Sequence, residues 1–191
     1  MTLLQIMPDS GAGVLLRVSD PQRIAAELSY LGIAYEQCRP GSPLDVTAGQ
    51  EEVLVAYRDD VERLTQRGGY QLVDVVRMVP DPGNPEWEAS AKAARERFRS
   101  EHRHDEDEVR LFVEGCGCFY LHLGDKVYAV VCEAGDLLSV PVGTRHWFDM
   151  GIVPRFCAIR FFQKPDGWVA DFTGDPVATR IPTLDALLAQ V

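Results

Sequence analysis

The chain has 191 residues, 46% apolar and 25% charged, which suits one globular domain with a sizeable core. Its net charge of −10 argues against nucleic acid and anionic membranes as partners, because phosphate repels such a surface. No apolar run reaches the roughly 18 residues of a spanning helix, and the start, MTLLQIMPDS, lacks the basic and apolar segments of a signal peptide, so a cytoplasmic protein is expected.

The five cysteines, Cys38, Cys116, Cys118, Cys132 and Cys157, are then expected as reduced, buried thiols. Cys116 and Cys118 form C-G-C, which lacks the two-residue spacer of a redox or zinc knuckle.

In chain order, DPQRIAAELSYL (20–31) predicts a helix: Asp20 caps it, Pro21 suits its first turn, and Ile24, Leu28 and Leu31 make an apolar stripe. A short strand is expected over 33–35 and a loop at PGSP (40–43). A second helix is expected from about Ala48 to Arg67, with Thr47 and Gln50 as a capping box and Leu54, Tyr57, Val61 and Leu64 on one face. YQLVDVVRMV (70–79) reads as a strand ended by PDPGNP. Residues 86–99 read as a helix with Trp87, Ala91, Ala94 and Phe98 on one stripe. From Val109 to about Phe162 short strand-like runs alternate with glycine turns, the pattern of a β-barrel or sandwich. TLDALLAQV predicts a last helix. The plan is one domain over 1–191: a helix-rich part (1–100), a metal-binding β-barrel core (101–165) and a C-terminal cap (166–191). No heptad or long flat apolar strand is visible, which points to a monomer.

The stretch EHRHDEDEVR (101–110) holds two of the four histidines among five carboxylates. On a strand, residues two apart share a side, so His102 and His104 can offer two imidazoles to one ion. Glu108 returns to that side if the strand is not bulged. Imidazole with carboxylate suits a divalent transition metal. A third imidazole must come from His122 or His146. His146 is the better placed, because Pro141 and Gly143 suggest a tight turn that presents it. His122, in FYLHL, shares a face with Tyr120 and opposes Phe119, Leu121 and Leu123.

H-x-H-x3-E-x6-G (His102, His104, Glu108, Gly115) and G-x5-P-x-G-x2-H (Gly135, Pro141, Gly143, His146) resemble the two cupin motifs. Glu96 stands where the first usually opens with glycine, and Met150 where the second often ends in asparagine. H-x-H-x-x-D-E-V-R with V-P-x-G-T-x-H-W-F-D, together with the length and the helical first half, resembles the acireductone dioxygenases. The resemblance implies a mainly β fold with flanking helices, a cupin double-stranded β-helix or jelly-roll barrel. It also implies a methionine-salvage enzyme that cleaves 1,2-dihydroxy-3-keto-5-methylthiopentene with O2. Its metal would be Fe(II), giving formate and the keto acid precursor of methionine, or Ni(II), giving methylthiopropionate, formate and CO. The ligand set suits Co(II) as well.

The same resemblance assigns His102, His104, Glu108 and His146 to the metal and Arg110 to stabilising the substrate dianion. It gives Glu101 a part in metal incorporation and Asp107 a part in relaying local conformational change. Glu106 has ligand-side parity and is a candidate base. Phe98, Phe148 and Trp168 are candidates for the wall around the methylthio tail, and Arg160 for an anionic oxygen. Trp147 is expected to pack the strand end. Two other classes stay open: a non-catalytic small-ligand-binding cupin, and a Zn(II) cupin sugar-phosphate isomerase. The isomerase would call for clustered Lys and Arg, whereas those after Val109 are scattered.

Overall fold

The computed structural model describes residues 1–165 and 168–190. The first residues of the expected cap, Asp166 and Gly167, and the terminal Val191 lie outside the described residues. The fold is mainly β. Its strands are β1 (Leu3–Pro8), β2 (Leu16–Val18), β3 (Ala34–Gln37), β4 (Leu72–Met78), β5 (His102–Arg103), β6 (Glu108–Leu123), β7 (Lys126–Glu133), β8 (Asp136–Val140), β9 (Arg145–Asp149), β10 (Phe156–Phe162) and β11 (Asp171–Phe172). They form two sheets that share β6. One runs β11-β5-β9-β6-β7-β1-β2 and the other β4-β10-β6-β8-β3.

The sharing of β6 explains the architecture. VRLFVEG and CFYLHLGD read as two strands in the sequence, yet they are one strand of 16 residues. Its first part pairs with β8 and β10, and its second with β7 and β9. Between them, Phe112 pairs with Ala158 and Glu114 with Cys157, which leaves Val113 without a partner. One extra residue switches the side-chain parity of everything beyond it. Glu108, Arg110 and Phe112 therefore face the same interior as Phe119 and Leu121. Gly115 sits at the corner with φ +67°, and a Cβ there would lie 1.9 Å from the Arg155 carbonyl oxygen.

The helices are α1 (Pro21–Ser29), α2 (Gln50–Ala56), α3 (Arg58–Gly68), α4 (Pro85–Phe98) and α5 (Leu184–Leu188), with a 3-10 turn at Pro176–Thr179. α1 starts as expected, with Asp20 accepting from the Arg23 amide at 2.8 Å. The single helix expected over 48–67 is two helices, broken at Tyr57, whose backbone leaves the helical region while its ring is buried with Leu64 and Phe161. The capping box is not Thr47 with Gln50. Thr47 spends its hydroxyl on Asp45 at 2.6 Å, and Glu52 instead accepts from the Gly49 amide at 2.8 Å.

The first half is less purely helical than its sequence suggests. β1 pairs along six residues with β7, and β4 along seven with β10, so both belong to the barrel. Three apolar clusters result: one inside the barrel around Phe112, Phe119 and Phe148, one under α2 and α3, and one under α5 around Tyr120 and Trp147.

Candidate metal centre

His102 pairs with His146 across β5 and β9, which brings imidazoles 44 positions apart in the chain into one register. His104 follows β5. Residues 105 and 106 bend, so Glu108 returns to the site by way of a turn and not by strand alternation. Glu108 opens β6 opposite Val140. The second motif is tied to the first by the Gly143 amide, which donates to the His104 carbonyl at 3.0 Å.

All four side chains are buried, and their donor atoms lie within 4.8 Å of one another. The three imidazole centroids stand 4.6, 5.0 and 5.1 Å apart. Each ring's Nδ1 contacts a backbone carbonyl: Ser100 at 2.7 Å for His102, Val169 at 2.9 Å for His104 and Thr144 at 2.8 Å for His146. A carbonyl oxygen only accepts, so each Nδ1 must carry the proton and each neutral ring keeps its lone pair on Nε2. Yet Glu108 Oε2, also an acceptor, lies 2.8 Å from His146 Nε2 and 3.1 Å from His104 Nε2. Two acceptors approach this closely only with a cation between them, either a metal ion or the proton of a charged imidazole. The donor set fits a divalent metal ion.

The electrostatics separate the rings: burial lowers the His104 pKa, but its contact with Glu108 outweighs burial and raises it. Burial, then the neighbouring His146, pushes His102 down to about 4, which keeps it in the neutral form that ligates. Burial alone would raise the Glu108 carboxyl, but Arg110, His104 and His146 hold it well below the usual carboxylate range.

Arg110 is buried beside this set. Its Nη2 donates to Glu108 Oε1 at 2.9 Å, while its Nε–H has no partner among the described residues. Burial lowers its pKa more than Glu108 raises it. The guanidinium lies 4.6 Å from the Phe148 ring centroid and 5.1 Å from that of Trp168. Arg110, three of the four ligands and the expected Phe98, Phe148, Arg160 and Trp168 all line one cavity of 330 Å³, within the range of small-molecule sites. Arg160 does so as an ion pair, held by both oxygens of Asp74 at 2.8 and 2.7 Å, so its charge is already matched.

Other expected residues lie around the cavity and not in it. Glu106 is absent from the lining: Oε2 accepts from the Gln163 and Lys164 amides at 2.6 and 3.0 Å. The parity that made it a candidate base is lost in the bend at 105–106. Asp107 accepts from the Val142 amide at 2.9 Å, and its carbonyl from the Trp168 indole at 3.2 Å, so it joins the ligand turn to Pro141–Gly143 and to the cavity wall. Glu101 points to the opposite side of the sheet, where it contacts His122. Trp147 stacks on Tyr120 at 5.1 Å, away from the ion site.

Sequence reasoning missed Phe172, whose ring stands 5.6 Å from His102, and Asp74, Arg97 and Phe162 in the cavity wall. A lone aspartate in the apolar strand LVDVVRM was a signal for Asp74. Phe172 had none, because β11 is only two residues long.

A family model described as the ARD/ARD' family matches residues 4–170. Acireductone dioxygenase 1 of Nocardia farcinica is 59% identical over 189 residues, 98% of this chain and 100% of the relative. The acireductone dioxygenase of Saccharopolyspora erythraea is 50% identical over 190 residues, 99% of each. Among solved structures, the acireductone dioxygenase from Bacillus anthracis with a cadmium ion in its active center matches with a TM-score of 0.73 at 26% identity, over 90% of this chain and 98% of that one. The jelly-roll expectation is borne out by this likeness.

Proposed function

Because the chain belongs to the acireductone dioxygenase family, we propose that His102, His104, Glu108 and His146 hold one Fe(II) or Ni(II) ion beside Arg110, Co(II) being a third fit. The chain is a metal-dependent dioxygenase of methionine salvage. It cleaves the acireductone 1,2-dihydroxy-3-keto-5-methylthiopentene with O2, and its relatives favour neither the binding cupin nor the sugar-phosphate isomerase.

The observation that carries the site is the set of three Nδ1–carbonyl contacts, which leaves each Nε2 free to ligate, with the four donor atoms within 4.8 Å of one another. When bound, the ion would supply Lewis-acid and template chemistry for the enediolate. The remaining work falls to the chain. Arg110 places a fixed, desolvated cation against the substrate dianion and has an unused Nε–H to donate. Phe98, Phe148 and Trp168 wall off water and seat the methylthio tail, while Arg160, matched by Asp74, gives its aliphatic stem to the wall. Asp107 supports the ligand turn through the Val142 amide, Glu101 keeps the part in metal incorporation expected of it, and Glu106 holds the 163–164 backbone in place of acting as a base.

We read 1–191 as one working domain, its first hundred residues contributing strands as well as helices, and the chain as a cytoplasmic monomer. Among the described residues no helix is long and apolar enough to cross a membrane.

The test is anaerobic reconstitution of the metal-free chain with Fe(II) or Ni(II), followed by acireductone and O2. The expected products are formate with 4-methylthio-2-oxobutanoate from the Fe(II) form, and methylthiopropionate, formate and CO from the Ni(II) form. Acireductone loss no faster than in buffer with either metal would overturn the reading.

A further inference from the structure

The fourth histidine sits in a second cluster that the dioxygenase chemistry does not use. His122 lies on β6 one residue past Leu121, and β6 pairs these two residues with Arg145 and His146. Neighbours along a strand point to opposite faces, so His122 looks away from the ion site. There it meets Glu101, which precedes His102 and also faces outward, and Asp175, the N-cap of the 3-10 turn. Ligand atoms of these three lie within 4.8 Å of one another. Glu101 is 1% exposed and His122 4%.

The hydrogen-bond inventory is short of donors. His122 Nδ1 contacts Glu101 Oε2, and the other Glu101 oxygen accepts from the Thr173 hydroxyl at 2.6 Å. His122 Nε2 is buried with no partner among the described residues, and Asp9 Oδ2 lies 3.7 Å away. Carboxylates thus flank both ring nitrogens. Whichever nitrogen ligates, the other keeps a carboxylate to donate to, the arrangement that orients metal-bound imidazoles. Three cationic side chains stand near this group: Arg180, 3.8 Å from Asp175 and 45% exposed, Arg99 in the wall of the adjoining cavity, and Arg145, opposite His122 on β9. A cavity of 360 Å³ lined by Glu101, Asp175, Thr179 and Phe172 opens the cluster to solvent.

We propose that Glu101, His122 and Asp175, with Asp9 beside them, form a second divalent-cation site on the outer face of the β5-β9-β6 sheet, separate from the four-ligand centre. One imidazole with two or three carboxylates selects a first-row divalent ion such as Zn(II) or Mn(II) over Ca(II) or Mg(II), which favour all-oxygen sets. The site is reached from its own cavity, so it fills independently of acireductone.

Zn(II) is the probe. The full chain is dialysed to equilibrium against it and bound metal is counted by mass spectrometry. The wild-type chain should hold two ions. Asp175→Asn and His122→Gln should each hold one, and His104→Ala should lose the other. Asn still caps the 3-10 turn, so Asp175→Asn decides the matter should His122→Gln fail to fold. The Fe(II)-loaded Asp175→Asn chain should keep dioxygenase activity within about twofold. One ion in the wild-type chain would overturn the proposal. Two ions retained by Asp175→Asn and His122→Gln would overturn it equally. The count needs no substrate, so its failure is distinct from failure of the dioxygenase reading.

Discussion

Arg110 is a cation with almost no water around it and one donor unspent. Replacing it by Gln should lower kcat/KM by about 10²- to 10³-fold, the scale of losing a fixed donor at a developing charge. Bound Fe(II) per chain should stay the same. The rate profile should also move to higher pH, because the substrate's second proton is no longer drawn off by a neighbouring positive charge. An unmoved profile would return Arg110 to a structural ion pair with Glu108. Gly117 tests the wall beside it. A Cβ there would stand 2.4 Å from Phe148 Cζ, so Gly117→Ala must push a cavity-lining ring aside. The expected outcome is a KM several-fold higher and a stability loss of about 1–3 kcal/mol, read by steady-state kinetics and denaturant melts. At this scale the four clustered side chains were legible, because H-x-H and a histidine after P-x-G are local patterns. Glu106 was misread because strand parity does not survive a bend, and Phe172 could not be read at all, since its place depends on pairing 70 positions back with His102.

The elements are joined by a few buried charges. Asp149, at the end of β9, accepts from Arg95 of α4 at 2.6 and 3.0 Å and from the Leu184 amide at the start of α5 at 3.1 Å. Burial alone would raise its pKa, but Arg95 and the backbone amides outweigh that and hold it below the ordinary value. The group is depressed in the folded state. Its contribution is therefore complete above the unfolded carboxylate value of about 3.9 and is lost as pH falls through the folded one. Asp149→Asn should cost about 3 kcal/mol at neutral pH by leaving Arg95 under-compensated. The gap from wild type in chemical melts should narrow below pH 4, and a constant gap down to pH 2 would contradict the assignment. This clamp was invisible in the sequence, where Arg95 and Asp149 are 54 positions apart. The break at Tyr57 was hidden too, because both helices share the apolar stripe that suggested one. The bulge at Val113 was the largest omission, since it alone puts Glu108 and Leu121, of opposite parity, on one side of β6.

The whole molecule is a barrel closed by strands from both halves of the chain, and the ion site sits where its two sheets meet. A ligand bound only by the folded state adds stability by mass action, about 2.7 kcal/mol at a hundredfold excess over Kd. For a chain of this size each kcal/mol shifts Tm by about 2–4 °C. Chelating the metal should thus lower Tm by about 5–10 °C, reversibly on adding Fe(II) or Ni(II), and a Tm indifferent to metal would mean that the four side chains hold no ion. The mainly β class and the barrel were readable from alternation after Val109. The share of β1 and β4 in that barrel was not, because their partners lie some 80 to 130 residues away. The central claim is that one ion sits among His102, His104, Glu108 and His146. Crystals of the Ni(II)-loaded chain, shown active in the same batch, should be recorded at the nickel absorption edge. The account predicts an anomalous peak about 2.0–2.2 Å from three Nε2 atoms and a Glu108 oxygen, the usual range for such ligands. An active batch with no peak at those four side chains would contradict it.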